Sequence, residues 1–412
     1  MDVAIMGYGV VGSGVAEVLK KNHDSIVKKS MQPSLNLKYI LDIRDFPGDP
    51  NESLMIKDFN TILNDPDVGV VVETMGGQHP AFEFVSACLN AGKSVVSSNK
   101  ELVAEKGDIL LQIAEEKNVN FLFEASVGGG IPIIRPLSQC LSANEIDEIY
   151  GILNGTTNFI LTKMIDEGLD FNTVLRMAQE NGYAEKDPTA DVEGHDACRK
   201  ICILASLIYG RHIYPDSVHT EGITKIDLAD VEYAKSWGGV IKLIAKAKDV
   251  GGGKISAMVS PSLVPGESQL STVNDVFNAL LIRGNAVGDV LFYGRGAGKL
   301  PTASAIVADI IDCCKHTREK KFFGWKPCSE NIVADYLDQP AALYIRAEAE
   351  HPQEALNAVR NIFGDVTVLT RKDAPASEFA FITPIESERA LRTKLDTLHS
   401  VNTLSVLRVA DC

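Results

Sequence analysis

The chain begins with a short apolar run that leads directly into a cluster of glycines. Residues 2–6 (DVAIM) form a strand-like stretch, and Gly7, Gly9 and Gly12 follow with G-x-G-x-x-G spacing at the start of a helical pattern. The first two glycines permit a tight turn and close approach of a pyrophosphate. The third permits close helix–strand packing, and a helix N-terminus favours an anion. The motif therefore predicts dinucleotide binding, with an ordinary tight strand–helix turn as the alternative.

Short strand and helix patterns alternate through the first 133 residues, which predicts a Rossmann-type, doubly wound parallel sheet. The second strand should end near Asp42, an acid suited to bond the ribose of NAD. Arg44 could instead pair with the 2′-phosphate of NADP, so both cofactors remain open. Thr74 and Lys100 fall at the carboxyl ends of later strands, where such sheets bind ligands. A solvated turn lysine is the alternative for Lys100.

Composition excludes several functions and locations. The net charge is −15 and no basic stripe is present, which argues against nucleic-acid binding. The eight cysteines contain no CxxC spacing, a pattern typical of reduced thiols in a cytosolic protein. No apolar run reaches the roughly 18 residues needed to cross a bilayer, and a strand beginning at Asp2 leaves no room for a signal peptide. We therefore expect a cytoplasmic protein without a membrane partner.

Changes in pattern along the chain predict four further regions. Glycines and prolines near residue 130 end the first domain (1–133), and an α+β domain with a largely antiparallel sheet follows at 134–300. This second domain should carry the substrate site and dimerise. A helix at about 301–320 should return to the first domain. Residues 324–339 are predicted to be a linker, and 340–412 follow a βαββαβ order.

The segment 181–200, NGYAEKDPTADVEGHDACRK, concentrates carboxylates immediately before an almost unbroken apolar run. An all-round apolar helix belongs in a core, so the helix starting near His195 should enter one. Asp196 and Lys200 are four residues apart on one face of that helix. A lysine held at the mouth of a core beside acids is a candidate proton donor. The alternative is an ordinary surface Asp–Lys pair.

An earlier turn, NGTTN, brings hydroxyls and amides next to Gly155. The alternative is that Thr156 or Thr157 simply caps the helix that follows.

Six motifs in order make the chain resemble the homoserine dehydrogenase family over essentially its whole length. Because no kinase segment precedes the glycine loop, the resemblance is to the monofunctional form. The matching strings are GYGVVGSGV, SSNKELVA, EASVGGGIPII, GILNGTTNFIL, GYAEKDPTADVEGHDACRK and GRGAGKLPTASAIVAD.

The resemblance implies NAD(P)H-dependent reduction of L-aspartate 4-semialdehyde to L-homoserine, on the route to threonine, methionine and isoleucine. It implies Lys200 as proton donor, with Lys100 bordering the nicotinamide and the aldehyde as the rival donor. The implied substrate-binding residues are Glu185, Asp191, Asp196 and Lys100. The implied cofactor-binding residues are Gly7, Gly9, Val10, Val11, Gly12, Arg44, Thr74, Lys100, Gly155 and Gly298.

The segment EASVGGGI resembles the family's loop for a monovalent cation, Na⁺ or K⁺. The implied ligands are the carboxylate or main chain of Glu124 and the carbonyls of Val127, Gly129 and Ile131. From the residues alone, the segment is only a glycine-rich hinge.

The tail resembles an ACT regulatory domain, which implies pairing between subunits in a homodimer or homotetramer. Threonine is the expected effector, bound where the subunits meet. The tail's alternative role is dimerisation only.

Three other functions compete with this one. A phosphorylating aldehyde dehydrogenase would need an activated cysteine, but Asp196 beside Cys198 would raise that thiol's pKa. A two-domain sugar or inositol oxidoreductase would share the architecture. A catalytically inactive amino-acid sensor would lack the lysine and the acids.

Overall fold

A computed structural model describes residues 1–317, 321 and 323–412 of the chain. The chain divides into two compact units, each built from three stretches of sequence. Unit 1 comprises Met1–Glu145, Cys202–Pro215 and Gly294–Asn331, and unit 2 comprises Ile146–Ile201, Asp216–Tyr293 and Ile332–Cys412.

The first third of the chain alternates strands and helices, as the sequence predicts. Its elements are β1 (Asp2–Met6), α1 (Val10–Lys21), α2 (His23–Ser30), β2 (Asn36–Leu41), β3 (Met55–Ile56), α3 (Phe59–Asn64), β4 (Val68–Glu73), α4 (Ala81–Asn90), β5 (Ser94–Ser97), α5 (Lys100–Lys117) and β6 (Phe121–Leu122).

These strands form one parallel sheet in the order β3-β2-β1-β4-β5-β6. The order reverses between β1 and β4, which makes their carboxyl ends the switch point at which such sheets bind ligands. β1 and β4 are apolar and almost wholly buried, as expected for strands covered on both faces. The predicted doubly wound parallel sheet is confirmed.

The middle of the chain combines long strands with helices. Its elements are β7 (Ile146–Ile152), α6 (Gly155–Glu167), α7 (Phe171–Glu180), α8 (Thr189–Val192), α9 (His195–Tyr209), β8 (His219–Thr220), α10 (Leu228–Trp237), β9 (Gly239–Gly251), β10 (Lys254–Pro265), β11 (Phe277–Gly284), β12 (Gly288–Arg295) and α11 (Lys299–Lys315).

The return helix is α11, which packs against α1 in the core of unit 1. The two helices approach closely because Gly14 has no side chain: a Cβ there would lie 2.7 Å from the Lys299 carbonyl oxygen. The predicted helix extended to about residue 320, and residues 318–320 lie outside the described part of the chain.

The tail has the predicted βαββαβ order, with one short extra strand. Its elements are β13 (Pro340–Glu348), α12 (Pro352–Phe363), β14 (Thr367–Leu369), β15 (Glu378–Ile382), β16 (Glu386–Ser387), α13 (Glu388–Asp396) and β17 (Asn402–Val409). Apolar side chains from α12 and α13 cover one face of the tail strands.

The tail strands are continuous with the middle of the chain, which the sequence did not predict. A single sheet runs in the order β12-β11-β7-β9-β10-β17-β13-β15-β14. The join is a short parallel pairing of β10 with β17, in which Ser262 is opposite Arg408. Most other pairs are antiparallel, so the sheet is mixed.

Among the described residues, no helix combines the length and apolar character required to cross a bilayer.

Candidate active site

The predicted pair on α9 lies in the interior of the protein. Asp196 and Lys200 are only 3% and 7% exposed. The Lys200 ammonium donates to Asp196 Oδ2 at 2.7 Å and to the main-chain oxygen of Leu153 at 2.8 Å. The alternative of a solvated surface pair is therefore excluded. A buried ammonium between a carboxylate and a carbonyl is fixed in position by both.

Asn154 joins this pair to the preceding acidic segment. Its amide nitrogen donates to Asp191 Oδ1 at 2.7 Å and to Asp196 Oδ2 at 2.9 Å. Its side-chain oxygen accepts from the backbone N–H of Thr157 at 2.8 Å, so Asn154 is the N-cap of α6. The alternative that Thr156 or Thr157 caps the helix is wrong. Asn is among the best N-caps, and N-G-T-T was the available signal.

We name the side chains of Asn154, Asp191, Asp196 and Lys200 the lysine–carboxylate cluster; all four belong to unit 2. The cluster contains two carboxylates that are hydrogen-bonded to one amide, and one ammonium. The carboxylates can bind a cationic group and the ammonium can donate a proton. Burial strengthens each of these interactions, because solvent screening is reduced.

Two other residues are predicted to act on the substrate, Glu185 and Lys100. Glu185 is exposed, and its main-chain oxygen accepts from the side chain of Gln179 at 3.1 Å. Lys100 belongs to unit 1 and is the first residue of α5, directly after the N-cap Asn99.

The glycine loop of unit 1 has the geometry expected for a phosphate-binding turn. Gly7 adopts φ +95°, and a Cβ there would lie 2.8 Å from the main-chain oxygen of Thr74. A Cβ on Gly12 would lie 2.0 Å from the Gly7 oxygen, so only glycine fits at the start of α1. The Thr74 hydroxyl donates to the Gly7 oxygen at 2.8 Å and ties the loop to the end of β4.

A cleft of about 640 Å³ lies beside this loop and is lined by Gly7, Gly9, Asp42, Arg44 and Thr74 among others. The Asp42 carboxylate accepts from the Tyr8 backbone N–H at 2.7 Å and from the Arg44 guanidinium at 2.9 and 3.0 Å. The Arg44 guanidinium holds the pKa of Asp42 well below its usual range. The glycine turn, a helix N-terminus and this ribose-side acid fit a dinucleotide.

The other residues predicted to bind the cofactor, apart from Lys100, lie at or directly before the N-termini of helices. Val10 is the exposed first residue of α1 and Val11 follows it. Gly155 begins α6, where a Cβ would lie 2.9 Å from the Val276 oxygen. Gly298 adopts φ +129° immediately before α11.

In the predicted cation loop, the Glu124 carboxylate is hydrogen-bonded to backbone amides. Glu124 is buried, and its oxygens accept from the backbone N–H groups of Ile133, Ile134 and Arg135 at 2.5–2.8 Å. The side chain therefore anchors this chain turn. Its use as a cation ligand is not favoured, whereas main-chain carbonyls remain suitable donors. Within the described ranges, no group of three or more His, Cys, Asp or Glu side chains forms a metal-binding cluster.

Comparisons with known proteins agree across sequence and structure. The family model for homoserine dehydrogenase matches residues 132–311, and the model for the homoserine dehydrogenase NAD binding domain matches residues 7–124. A homoserine dehydrogenase from Pseudomonas aeruginosa is 38% identical over 392 residues, covering 95% of this chain and 86% of the relative.

Solved structures extend the similarity to the whole chain. A homoserine dehydrogenase from Thiobacillus denitrificans superposes with a TM-score of 0.90 at 33% identity, covering 100% of this chain and 98% of that one. A hyperthermophilic archaeal homoserine dehydrogenase in complex with NADPH has a TM-score of 0.63 at 29% identity, covering 76% of this chain and 97% of that one.

Proposed function

We propose, because the chain belongs to the homoserine dehydrogenase family, that it interconverts L-homoserine and L-aspartate 4-semialdehyde with NAD or NADP. The observation that carries the proposal is the buried contact of Lys200 with Asp196, joined through Asn154 to Asp191. The glycine loop and cleft of unit 1 supply the residues for the dinucleotide.

Lys200 is assigned as the proton donor for aldehyde reduction. When bound, the dinucleotide supplies the hydride that reduces the aldehyde carbon. Negative charge then develops on the carbonyl oxygen and must be neutralised as it forms. An ammonium does this by hydrogen bonding and proton donation. Asp196 and the Leu153 carbonyl hold the Lys200 ammonium for this task.

Asp191 and Asp196 are assigned to the substrate's α-ammonium group. Homoserine and aspartate semialdehyde both carry this cation, and carboxylates are its natural partners. Asn154 fixes one oxygen of each carboxylate. Glu185 retains a proposed substrate role through its position in the same acidic segment, and Lys100 retains a proposed role at the nicotinamide and the aldehyde.

The test is a steady-state assay of homoserine oxidation with NAD and, separately, with NADP. Turnover with either dinucleotide is expected, together with reduction of aspartate semialdehyde in the reverse direction. Comparing turnover with the two coenzymes also tests whether Asp42 or Arg44 governs coenzyme preference. Asp42 suits the ribose hydroxyl of NAD, and Arg44 suits the 2′-phosphate of NADP. No turnover of homoserine, alongside oxidation of sugars or inositols in the same assay, would overturn the proposal.

For the cation, main-chain oxygens of Glu124, Val127, Gly129 and Ile131 are the proposed ligands of Na⁺ or K⁺. Oxygen donors suit such hard cations, and the Glu124 carboxylate is held by backbone amides instead. Replacing all alkali ions by tetramethylammonium at constant ionic strength should lower activity. Unchanged activity would exclude this site.

For regulation, we propose that threonine is an effector that binds the βαββαβ tail where subunits of a cytoplasmic homodimer or homotetramer meet. Threonine should inhibit the full chain at concentrations at which serine does not. Equal responses to the two amino acids would exclude a dedicated threonine site.

A further inference from the structure

An arginine near the end of the chain lies between two buried or half-buried glutamates. Arg408, on β17, donates to both oxygens of Glu388 at 2.8 Å and to both oxygens of Glu221 at 3.0 Å. Glu388 begins α13 of the tail, but Glu221 lies just after β8. The guanidinium therefore links the tail to a segment some 190 residues earlier in the chain.

The neighbours of Glu221 stabilise its ionised form. Burial raises the pKa of Glu221, but hydrogen bonds from His219 and Arg408 outweigh it and hold the pKa at about 2. The ring of Tyr336 stacks on His219 at a centroid distance of 3.6 Å and also lies 5.3 Å from the Arg408 guanidinium. The glutamate is therefore ionised at neutral pH and held on two sides.

The residues after Glu221 are in close contact with the turn that joins α8 to α9. A Cβ on Gly222 would lie 2.2 Å from the Val192 oxygen and 2.5 Å from the Glu193 Cα. The Ile223 N–H donates to the same Val192 oxygen at 2.8 Å. The Thr224 hydroxyl donates to the Glu193 carboxylate at 3.0 Å.

That turn, Val192–Gly194, is flanked in sequence by the two carboxylates of the lysine–carboxylate cluster. Asp191 precedes it in α8 and Asp196 follows it in the first turn of α9. The turn is thus fixed from one side by Gly222 and its neighbours, and from the other by Asn154 through both carboxylates.

We propose that the tail positions the active site: Arg408 holds Glu221, and the segment 221–224 in turn holds Val192–Gly194 and sets the placement of Asp191 and Asp196. This inference rests on the function proposed above. Arg408 and Glu221 are positioning residues, because they act on the cluster through segment 221–224 and Val192–Gly194. The tail then acts on the substrate site through a continuous set of contacts, independently of any effector.

The chain contains a matched control for Arg408. Arg346 is a second buried arginine of the tail sheet, on β13, and donates to Asp230 of α10 at 2.8 Å. Arg408→Met and Arg346→Met each leave a buried carboxylate without its guanidinium, so both should lower the midpoint of thermal unfolding. Among the described contacts, only those of Arg408 lead to Val192–Gly194.

In homoserine oxidation, Arg408→Met should lower kcat/KM about 10- to 100-fold, the effect of a displacement of about 1 Å at a catalytic group. Arg346→Met should stay within about three-fold of wild type, and dinucleotide affinity should not change in either variant. Arg408→Lys should recover part of the loss. Hydrogen–deuterium exchange of residues 189–200 should rise in Arg408→Met alone. Equal kinetics and equal exchange in the two Met variants would overturn the inference.

A second pair of variants decides the matter if the arginine variants fail to fold. Gly222→Ala inserts a methyl group 2.2 Å from a carbonyl oxygen, and Gly266→Ala does the same at 2.3 Å from the Gly238 oxygen. Gly222→Ala alone should reduce kcat/KM for homoserine. Equal activity in both would reject the inference, whereas a wild-type protein inactive with homoserine would reject the proposed function instead.

Discussion

At the scale of single residues, Asn154 has two tasks, capping a helix and holding two carboxylates. Its oxygen caps α6, and its amide nitrogen bonds to both carboxylates beside Lys200. The two tasks use different atoms of one side chain, so a substitution can separate them.

Asn154→Ser keeps a good N-cap but removes both hydrogen bonds to Asp191 and Asp196. We expect stability to change by less than about 1 kcal/mol, because serine and asparagine are similar caps. We expect kcat/KM for homoserine to fall about 10- to 100-fold as the carboxylates shift. Denaturant unfolding and steady-state kinetics measure the two effects. Wild-type kcat/KM in Asn154→Ser would contradict the role given to its amide nitrogen.

Lys242 is a buried lysine outside this cluster. Its ammonium donates to the Val273 oxygen at 2.6 Å and to the side-chain oxygens of Asn158 and Asn274. Burial lowers its pKa to about 8 from 10.5, against the opposing effect of Asp166 and Asp275. Between these values the unfolded chain binds more protons than the folded one, so this lysine makes stability rise with pH from 8 to 10.5.

The gain over that window should approach about 3 kcal/mol, since one pKa unit corresponds to about 1.4 kcal/mol. Lys242→Met should remove it. Urea unfolding of both proteins at several pH values gives the comparison, and parallel pH profiles would contradict the assigned pKa.

Single residues also show where prediction from sequence ends. The i, i+4 spacing of Asp196 and Lys200 was visible, and so was the apolar run that buries their helix. The role of Asn154 was not, because its partners are 37 and 42 residues away. Lys242 is similar, since its acceptors come from two distant segments.

At the scale of elements, Glu73 connects the carboxyl ends of β4 and β5. Its buried carboxylate accepts from the Ser97 hydroxyl at 2.6 Å, the Met75 N–H at 2.8 Å and the Asn99 amide at 3.4 Å. Asn99 caps α5 just before Lys100. One carboxylate therefore holds two loops at the ligand-binding edge of the parallel sheet.

Glu73→Ala should destabilise unit 1 by about 3–5 kcal/mol, because it leaves several buried donors without an acceptor. Glu73→Gln retains the acceptor for the backbone amides and should cost about 1–2 kcal/mol. Both should weaken dinucleotide binding, Ala more than Gln. Calorimetry of dinucleotide binding tests this, and wild-type affinity in Glu73→Ala would contradict it.

Element limits followed local pattern closely where the pattern was strong. The string KISAMVSPSLVP corresponds to β10 and PQEALNAVRNIF to α12. The pairing of β10 with β17 was not predictable, because the register between residues as far apart in the chain as Ser262 and Arg408 depends on tertiary packing.

At the scale of the whole molecule, the tail is built into unit 2. β17 pairs with β10. Arg346 donates to Asp230 of α10, and Arg408 donates to Glu221 just after β8. Removing the tail would leave β10 unpaired at Ser262 and Leu263 and leave Asp230 and Glu221 without their arginines.

Truncation before Pro340 should therefore give an unstable or aggregating protein rather than an active enzyme lacking regulation. Solubility, circular dichroism and thermal unfolding of residues 1–339 beside the full chain report the outcome. A soluble, cooperatively folding and fully active truncation would contradict the proposed dependence of unit 2 on the tail.

The most direct test of Lys200 as proton donor is the effect of Lys200→Met on homoserine oxidation, compared with Lys242→Met at a second buried lysine of the same unit. Lys200→Met should lower kcat by about two to four decades, the usual contribution of a positioned proton donor. Dinucleotide affinity and folding should be retained, and Lys242→Met should keep near wild-type kcat. A Lys200→Met enzyme within a few-fold of wild type, with the loss appearing in Lys100→Met instead, would contradict it.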